Sequence, residues 1–153
     1  MGRETQRKLL TQAKRSKNDE FYTQLVDIER ELVHYKANFR DKVVYCNCDD
    51  PLTSNFFRYF FDNYEALGLK KLIASGYKSG SEGRGNYFVY TGQSAQKKLF
   101  EEEKIPELKG DGDFRGHESE EFLEQADIVV TNPPFSLFRQ FIAQMFQHDK
   151  KFL

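Results

Sequence analysis

The sequence predicts an α/β fold with three layers, a mostly parallel sheet covered by helices on both faces. The first observation is that short apolar segments at 41–48, 69–77 and 127–130 alternate with segments of helical periodicity. The second is the short join at Gly68 between a helix and the next strand, which is typical of a right-handed βαβ unit. The third is the length of 153 residues, which suffices for one modest domain.

Composition and charge exclude several classes of protein. Charged residues make up 31% of the chain and hydrophobic residues 39%, and no apolar run approaches the length of a membrane span. We therefore expect a globular, cytoplasmic protein with no membrane partner. Cys46 and Cys48 lie two residues apart in a candidate strand, so both should point to one face as reduced packing residues. No metal-ligand spacing emerges among the cysteines and histidines, and we expect no metal.

The N-terminal arm, residues 1–17, carries six Lys and Arg residues against one Glu. A basic arm can lie along a phosphate backbone, although the net charge of −1 argues against a nucleic-acid platform over the whole surface. Lys14, Arg15 and Lys17 are the predicted contacts with nucleic acid. A solvated tail or a frayed helix would have the same composition, so both interpretations stay open.

The next part of the chain predicts a helix, a strand, a second helix and a second strand. The strand at 41–48 is followed by a helix whose broad aromatic face we interpret as core. Thr53 or Ser54 caps that helix, and Gly68 closes it ahead of the strand at 69–77. The helix before the first strand has a narrow apolar stripe that comprises Leu25, Ile28, Leu32, Tyr35 and Phe39.

The segment from 83 to 130 is less regular. Residues 86–91 are predicted as an edge strand or hairpin arm, and the glycines just before it are no nucleotide fingerprint because no helix opens after them. Residues 93–108 are mostly polar, and we expect the Glu101-Glu102-Glu103 run within them to be solvated surface. A glycine-rich loop or short strand at 108–116 leads into a helix at 119–125, which returns the chain to the strand at 127–130.

The sequence Asn132-Pro133-Pro134-Phe135 carries the most specific chemistry. The prolines stop the strand at 127–130, and Ser136 is predicted to cap a helix that runs to about Asp149. The loop therefore lies at the carboxyl end of a strand and ahead of a helix, which is where ligands bind in open α/β sheets. The apolar face of that helix comprises Leu137, Phe138, Phe141, Ile142, Met145 and Phe146.

This loop suits the exocyclic amine of a nucleobase. Such an amine is a poor nucleophile because its lone pair is delocalised into the ring. The Asn132 side-chain oxygen and the Pro133 carbonyl are two fixed acceptors for its N–H bonds, which would expose the lone pair while Phe135 stacks on an extruded base. The alternative is a rigid, strand-terminating loop with a buried Phe135.

Four segments resemble, in chain order, motifs X, I, III and IV of the N6-adenine DNA methyltransferases, which use S-adenosylmethionine (SAM). More closely, 44–51, 110–115 and 127–138 look like the EcoRI-type family of these enzymes, and the match runs from about Lys14 to the last residue. The resemblance implies a Rossmann-like methyltransferase sheet, with 18–153 as a partial domain. The four segments are Asp19-Glu20-Phe21-Tyr22-Thr23, Asp50-Pro51, Asp113-Phe114 and Asn132-Pro133-Pro134-Phe135.

The resemblance also implies a SAM cofactor, a double-stranded DNA substrate and a role for each matched residue. An acid at a strand end suits an ammonium group, and an acid in a glycine-rich loop suits the edge of a base. Either Asp50 or Asp113 could instead be a helix cap or a turn acid. The implied sites are Asn132, Pro133, Pro134 and Phe135 for the target adenine N6; Phe21, Tyr22 and Thr23 for the methionine end of SAM; Asp50 for its ammonium group, with Asp49 as a further cofactor-binding residue; and Asp113 and Phe114 for its adenine.

The sequence departs from the family pattern in two places and in length. The glycines usual after Asp50-Pro51 are replaced, and the strand at 69–77 ends without a carboxylate for the ribose hydroxyls. The family also places further strands and a DNA-recognition region after the Asn-Pro-Pro-Phe helix. We therefore expect a chain truncated after the fourth main strand and its helix, with 151–153 beginning another strand. Its open sheet edge would suit a completing C-terminal half or self-association.

The leading hypothesis is a site-specific DNA adenine N6-methyltransferase of the restriction–modification type, incomplete as this chain. The same loop occurs in enzymes that methylate a protein glutamine or a guanine amine in RNA, which gives an alternative substrate class. A non-catalytic module that binds SAM or a partner is the alternative of another class.

Overall fold

A computed structural model of the protein describes residues 25–48, 50–78, 83–131 and 135–152. Five strands pair into one sheet. The strands are β1 (Val43–Cys46), β2 (Lys71–Ser75), β3 (Tyr87–Tyr90), β4 (Ile128–Val129) and β5 (Lys151–Phe152). The α-helices are α1 (Leu25–Leu32), α2 (Asn55–Asp62), α3 (Tyr64–Leu67), α4 (Ser94–Glu101), α5 (His117–Gln125) and α6 (Phe138–Gln147), and 3-10 helices cover Val33–Phe39 and Phe135–Leu137.

The sheet is mostly parallel, with strand order β3-β2-β1-β4-β5. Strand β1 pairs in parallel with β2 on one side and with β4 on the other, and β4 pairs in parallel with β5. Strand β3 pairs antiparallel with β2 and forms one edge, as predicted for residues 86–91. The β1–α2–α3–β2 segment confirms the predicted strand–helix–strand unit.

Each face of the sheet carries its own apolar core. Along β1, Val44 and Cys46 contribute to the core that α1, α2 and α3 cover, whereas Val43 and Tyr45 contribute to the core under α5 and α6. This alternation is the period of two that a strand buried on both faces requires. The predicted three-layer arrangement is therefore confirmed.

The helix α2 begins and packs as its sequence indicates. The Ser54 hydroxyl accepts a hydrogen bond from the Phe57 backbone N–H at 3.1 Å, so Ser54 is the N-cap. Gly68 ends α3 in the left-handed region at φ 68°, which favours glycine. The aromatic face is core, as predicted, with Phe57 and Phe60 fully buried.

Two predictions before the second strand were wrong in part. Ile28, Leu32 and Phe39 of the predicted apolar stripe are buried, as expected. Tyr35 is exposed, because the first helix becomes a 3-10 helix at Val33, which advances three residues per turn. Cys46 and Cys48 do not share a face, because β1 ends at Cys46 and Cys48 lies in the following turn at φ 61°. Cys46 is buried in one core, and Cys48 packs against the other.

One further helix had not been predicted, and one predicted helix start was wrong. Helix α4 lies in the mostly polar segment at 93–108, and the acidic run at 101–103 is exposed, as predicted. The start of α4 is supported by the Gln96 side chain, which accepts a hydrogen bond from the Thr91 N–H at 2.8 Å. Ser136 is not an N-cap, because it lies inside the 3-10 helix and Leu137 precedes α6 without a side-chain cap. Helix α6 buries Phe141, Gln144 and Met145. Phe138 and Phe146, which were predicted on the apolar face of this helix, are exposed.

The edge formed by β5 is short and its two residues are exposed. It confirms that residues after 150 begin another strand beside β4. Among the described residues, no helix is both long and apolar enough to cross a bilayer, and no group of three His, Cys, Asp or Glu side chains is arranged to hold a metal.

Candidate functional site

The carboxyl ends of β1, β2 and β4 meet at one edge of the sheet, and the loop before α5 lies against them. The Lys78 N–H donates to the Asp111 carbonyl at 2.8 Å, and the Gly85 N–H donates to the Gly110 carbonyl at 2.9 Å. These hydrogen bonds hold the glycine-rich loop beside the end of β2. The edge is the one at which open α/β sheets bind ligands.

Glycines allow the backbones at this edge to approach closely. A Cβ at Gly76 would lie 2.6 Å from the Cα of Asp50, and a Cβ at Gly112 would overlap the Gly76 carbonyl. Gly112 also has a φ of 84°, which L side chains rarely adopt. Gly112 of the loop therefore packs against the backbone that follows β2, and Gly76 packs against the backbone that follows β1.

Asp50 sits in a turn directly after β1. One of its carboxylate oxygens accepts a hydrogen bond from the Leu52 N–H at 2.9 Å, and its carbonyl accepts one from the Ser54 N–H at 2.8 Å. The first bond is an Asx turn, so the role of a turn acid holds at this position. A carboxylate has about four acceptor positions, and a single bond leaves capacity for an ammonium group.

Asp113 carries a charged partner that the sequence reading did not include. Arg115 donates to its carboxylate from Nε at 3.0 Å and from Nη2 at 2.7 Å, and the Arg115 backbone N–H donates at 2.9 Å. The side-chain hydrogen bond from Arg115 is the main cause that lowers the pKa of Asp113 below its usual value. Asp113 is therefore an ionised, oriented acceptor at neutral pH.

Phe114 lies between these two residues but points into the core. Its ring is 4% exposed and packs edge-on against Phe141 of α6, with ring centroids 5.7 Å apart. The Gln144 amide donates to the Phe114 carbonyl at 3.0 Å. This burial gives Phe114 a packing role and leaves little of its ring for a cofactor, so its contact with a cofactor ring remains only a prediction.

The ends of β1 and β4 are joined directly ahead of the Asn-Pro-Pro-Phe loop. The Thr131 hydroxyl donates to the Asn47 carbonyl, and both residues are buried. The side-chain oxygen of Asn47 is buried and has no hydrogen-bond partner within the part of the chain that the structure describes. A buried acceptor of this kind is costly unless a further group satisfies it.

Several predicted site residues lie outside the described residues. They are Asn132, Pro133 and Pro134 of the loop; Phe21, Tyr22, Thr23 and Asp49 of the cofactor set; and Lys14, Arg15 and Lys17 of the basic arm. Phe135 begins the 3-10 helix that leads into α6. The structure thus brings together the segment after β1 that carries Asp50, the glycine-rich loop that carries Asp113, and the end of β4.

Sequence reasoning missed Arg115, Gln140 and Gln144. Arg115 follows Asp113 by two residues, a spacing at which a side chain can return to the carboxylate in a turn. Gln144 is a polar residue inside the apolar face of α6, and it is only 9% exposed. That exception to the apolar pattern was the available signal, because a buried amide requires a hydrogen-bond partner.

Comparison with known proteins gives consistent matches. A family model described as adenine-specific methyltransferase EcoRI matches residues 9–153. The Type II methyltransferase M.EcoRI of Escherichia coli is 53% identical over 161 aligned positions, which cover 100% of this chain and 49% of that protein. The Type II methyltransferase M.MgeORF184P of Mycoplasma genitalium is 45% identical and M.MpnI of Mycoplasma pneumoniae is 43% identical, each over 92% of this chain and 41% of the relative.

The chain therefore spans about half the length of the curated relatives it matches, or less. No solved structure matches it.

Proposed function

Because this chain belongs to the EcoRI family of adenine-specific methyltransferases, we propose that it supplies the SAM site and the catalytic loop of a site-specific DNA adenine N6-methyltransferase. The observation that carries this proposal is the convergence, at the carboxyl edge of the sheet, of Asp50, Asp113 and the strand that precedes Asn132. The names of the relatives, all Type II methyltransferases, support the restriction–modification class.

The residues at this edge fit SAM. Asp50 retains free acceptor capacity for the ammonium group, and the oriented carboxylate of Asp113 suits the amino group of the cofactor's adenine. Gly76 and Gly112 allow the backbone segments that carry Asp50 and Asp113 to pack closely at this edge. When bound, SAM supplies an electrophilic methyl group on sulfur. Phe21, Tyr22, Thr23 and Asp49 are proposed to complete the cofactor site.

The loop that follows β4 is proposed to hold the target base. The Asn132 side-chain oxygen and the Pro133 carbonyl accept the two N–H bonds of the adenine N6, which localises the nitrogen lone pair for direct attack. Phe135 stacks on the flipped base. Pro134 has no N–H that competes for these acceptors, and the Thr131–Asn47 hydrogen bond anchors the start of the loop to β1. Lys14, Arg15 and Lys17 are proposed contacts with DNA phosphates.

A transfer assay tests the proposal. Tritiated methyl groups from SAM should appear on adenine N6 in duplex DNA, and Asn132→Ala should abolish the transfer by removing one acceptor. Asn38→Ala, on the exposed 3-10 helix, is the matched control and should retain transfer. Label on RNA or protein in place of DNA would select the alternative substrate class, and SAM binding without transfer would select a binding module.

We also propose that the assembled enzyme requires polypeptide corresponding to the rest of the relatives. Helix α6 exposes Phe138 and Phe146, which are 50% and 75% exposed, and β5 leaves an exposed strand edge next to them. The relatives are at least twice as long as their matched region. Transfer by this chain should therefore rise when the completing polypeptide of a relative is added in trans.

A further inference from the structure

We propose that Arg115 is a positioning residue that sets the orientation of the Asp113 carboxylate, so that the cofactor site distinguishes an amino group from a carbonyl on the purine ring. This inference rests on the proposed function and deepens it, because it assigns cofactor discrimination to a residue that does not contact the methyl group. Arg115 is in turn held by helix α6, which follows the proposed catalytic loop.

The geometry of the ion pair is that of a fork. Arg115 Nε and Nη2 reach opposite oxygens of Asp113, at 3.0 Å and 2.7 Å. A guanidinium bound in this way fixes the plane of the carboxylate, which a single ammonium contact does not. With the Arg115 backbone N–H also bound, about one acceptor position of Asp113 remains; it points in a defined direction and can accept a hydrogen bond from a ligand.

Helix α6 holds this segment at three points. Arg115 Nη1 donates to the Gln140 side-chain oxygen at 3.1 Å. Phe141 packs against the Phe114 ring, and the Gln144 amide donates to the Phe114 carbonyl. Arg115 also lies over the Phe114 ring, with its Cζ atom 5.7 Å from the centroid. Phe114 and Arg115, the two residues after Asp113, are thus both held by the helix that follows Phe135.

The test compares two forms of the demethylated cofactor by calorimetry. S-adenosylhomocysteine has an amino group at purine position 6, whereas S-inosylhomocysteine has a carbonyl that an oriented carboxylate repels. A hydrogen bond to a charged group is worth about tenfold or more in affinity, so the wild-type chain should prefer the adenosyl form by about that ratio. A purely structural residue would change both affinities and leave their ratio unchanged.

Arg115→Met removes the fork and keeps the aliphatic length. The preference for the adenosyl form should then fall to about threefold or less. Arg115→Lys keeps the charge but loses the bidentate contact, so its ratio of affinities should lie between those of the wild type and Arg115→Met. Arg58→Met is the matched control, because Arg58 forms a similar exposed pair with Asp62 at 3.1 Å on α2, and its ratio should equal that of the wild type. Circular dichroism melting checks that each variant is folded.

The outcomes separate this inference from the proposed function. Wild-type discrimination that persists in Arg115→Met, or that Arg115→Lys retains in full, would overturn the inference and leave the cofactor site intact. A wild-type chain that binds neither compound would overturn the proposed cofactor site together with the inference.

Discussion

At the scale of single residues, Asp113 links stability to pH. Its pKa is lowered mainly by the Arg115 hydrogen bond, so the folded state favours the ionised form. The contribution to stability is present above the ordinary aspartate pKa of about 4 and is lost as pH falls through the lowered value. The ion pair therefore stabilises the loop at neutral pH and ceases to do so in acid.

This sign gives a measurable prediction. The wild type should have a higher melting temperature than Asp113→Asn near neutral pH, and the difference should shrink as the pH falls below about 4. Thermal denaturation over a pH series measures it. The Arg115→Met change removes the main cause of the lowered Asp113 pKa. In that background, the difference in melting temperature that Asp113→Asn produces should no longer change as the pH falls below about 4. A difference that persisted in acid would contradict the role given to the ion pair.

Tyr45 is the second residue whose environment predicts a measurement. Its hydroxyl lies 2.5 Å from the Ser75 hydroxyl, and both side chains are buried. Tyr45→Phe leaves the buried Ser75 hydroxyl without this partner, so the free energy of unfolding should fall by about 1–3 kcal/mol in urea titrations. Tyr35→Phe, at an exposed tyrosine, is the control and should be neutral.

The pH dependence of the Tyr45 effect has the opposite sign to that of Asp113. Burial raises the pKa of the Tyr45 hydroxyl above its ordinary value, so its contribution is fully present below about 10 and is lost as the pH rises further. The difference in the free energy of unfolding between the wild type and Tyr45→Phe should therefore become smaller in strong alkali. A difference that became larger there would contradict the buried hydrogen bond described for this side chain.

At the scale of elements, the geometry of the site depends most on the glycine-rich loop before α5. Gly112→Ala would place a methyl group against the Gly76 carbonyl at a φ of 84°, so it should destabilise the fold by about 1–3 kcal/mol and weaken SAM binding. Gly110→Ala is the matched control, because its Cβ would meet only the end of the Glu118 side chain, at 3.2 Å. Equal effects of the two changes would contradict the close packing of the loop on β2.

The elements also show how much the sequence could predict. Strands buried on both faces were found because their apolar residues are contiguous, and the helical segment of α2 and α3 was found because Ser54 marks the start of α2 and Gly68 the end of α3. Helix α4 escaped because only Phe100 on it is buried, so no apolar period was visible. Ser136 has the residue type of an N-cap, yet the chain forms a 3-10 turn there first, which local preference alone does not reveal.

The site was predictable to a similar extent. Asp50 and Asp113 were predicted as site residues from motif resemblance, and the structure places both at the carboxyl edge of the sheet, while their roles toward a cofactor stay predictions. Arg115, Gln140 and Gln144 were not found, because their contacts join a loop to a helix 25 or 30 residues further along the chain. Long-range side-chain contacts of this kind leave no periodic signal.

At the scale of the whole molecule, the sheet has two unequal edges. On the β3 side, a core of aromatic rings reaches α4, whereas the β5 side exposes Phe138, Phe146 and Phe152. Apolar side chains clustered beside an open strand edge are typical of a surface that another polypeptide covers.

The exposed row on α6 leads to a prediction about assembly. Phe138→Ser and Phe146→Ser should change the stability of the isolated chain by no more than about 0.5 kcal/mol, because both side chains are exposed, but should weaken binding of the completing polypeptide. Calorimetric titration of the two polypeptides measures this, with Leu99→Ser, an exposed position on α4, as control. Unchanged binding by both phenylalanine variants would exclude this surface as the interface.

The central claim is that the carboxyl edge of this sheet is a SAM site, and calorimetric titration of the purified chain with SAM tests it most directly. We predict saturable binding of SAM, which Asp113→Ala weakens by removing the acceptor for the cofactor's adenine amino group. Absence of binding by a folded, monomeric wild-type chain would contradict the claim, and an unchanged affinity in Asp113→Ala would remove that residue from the site.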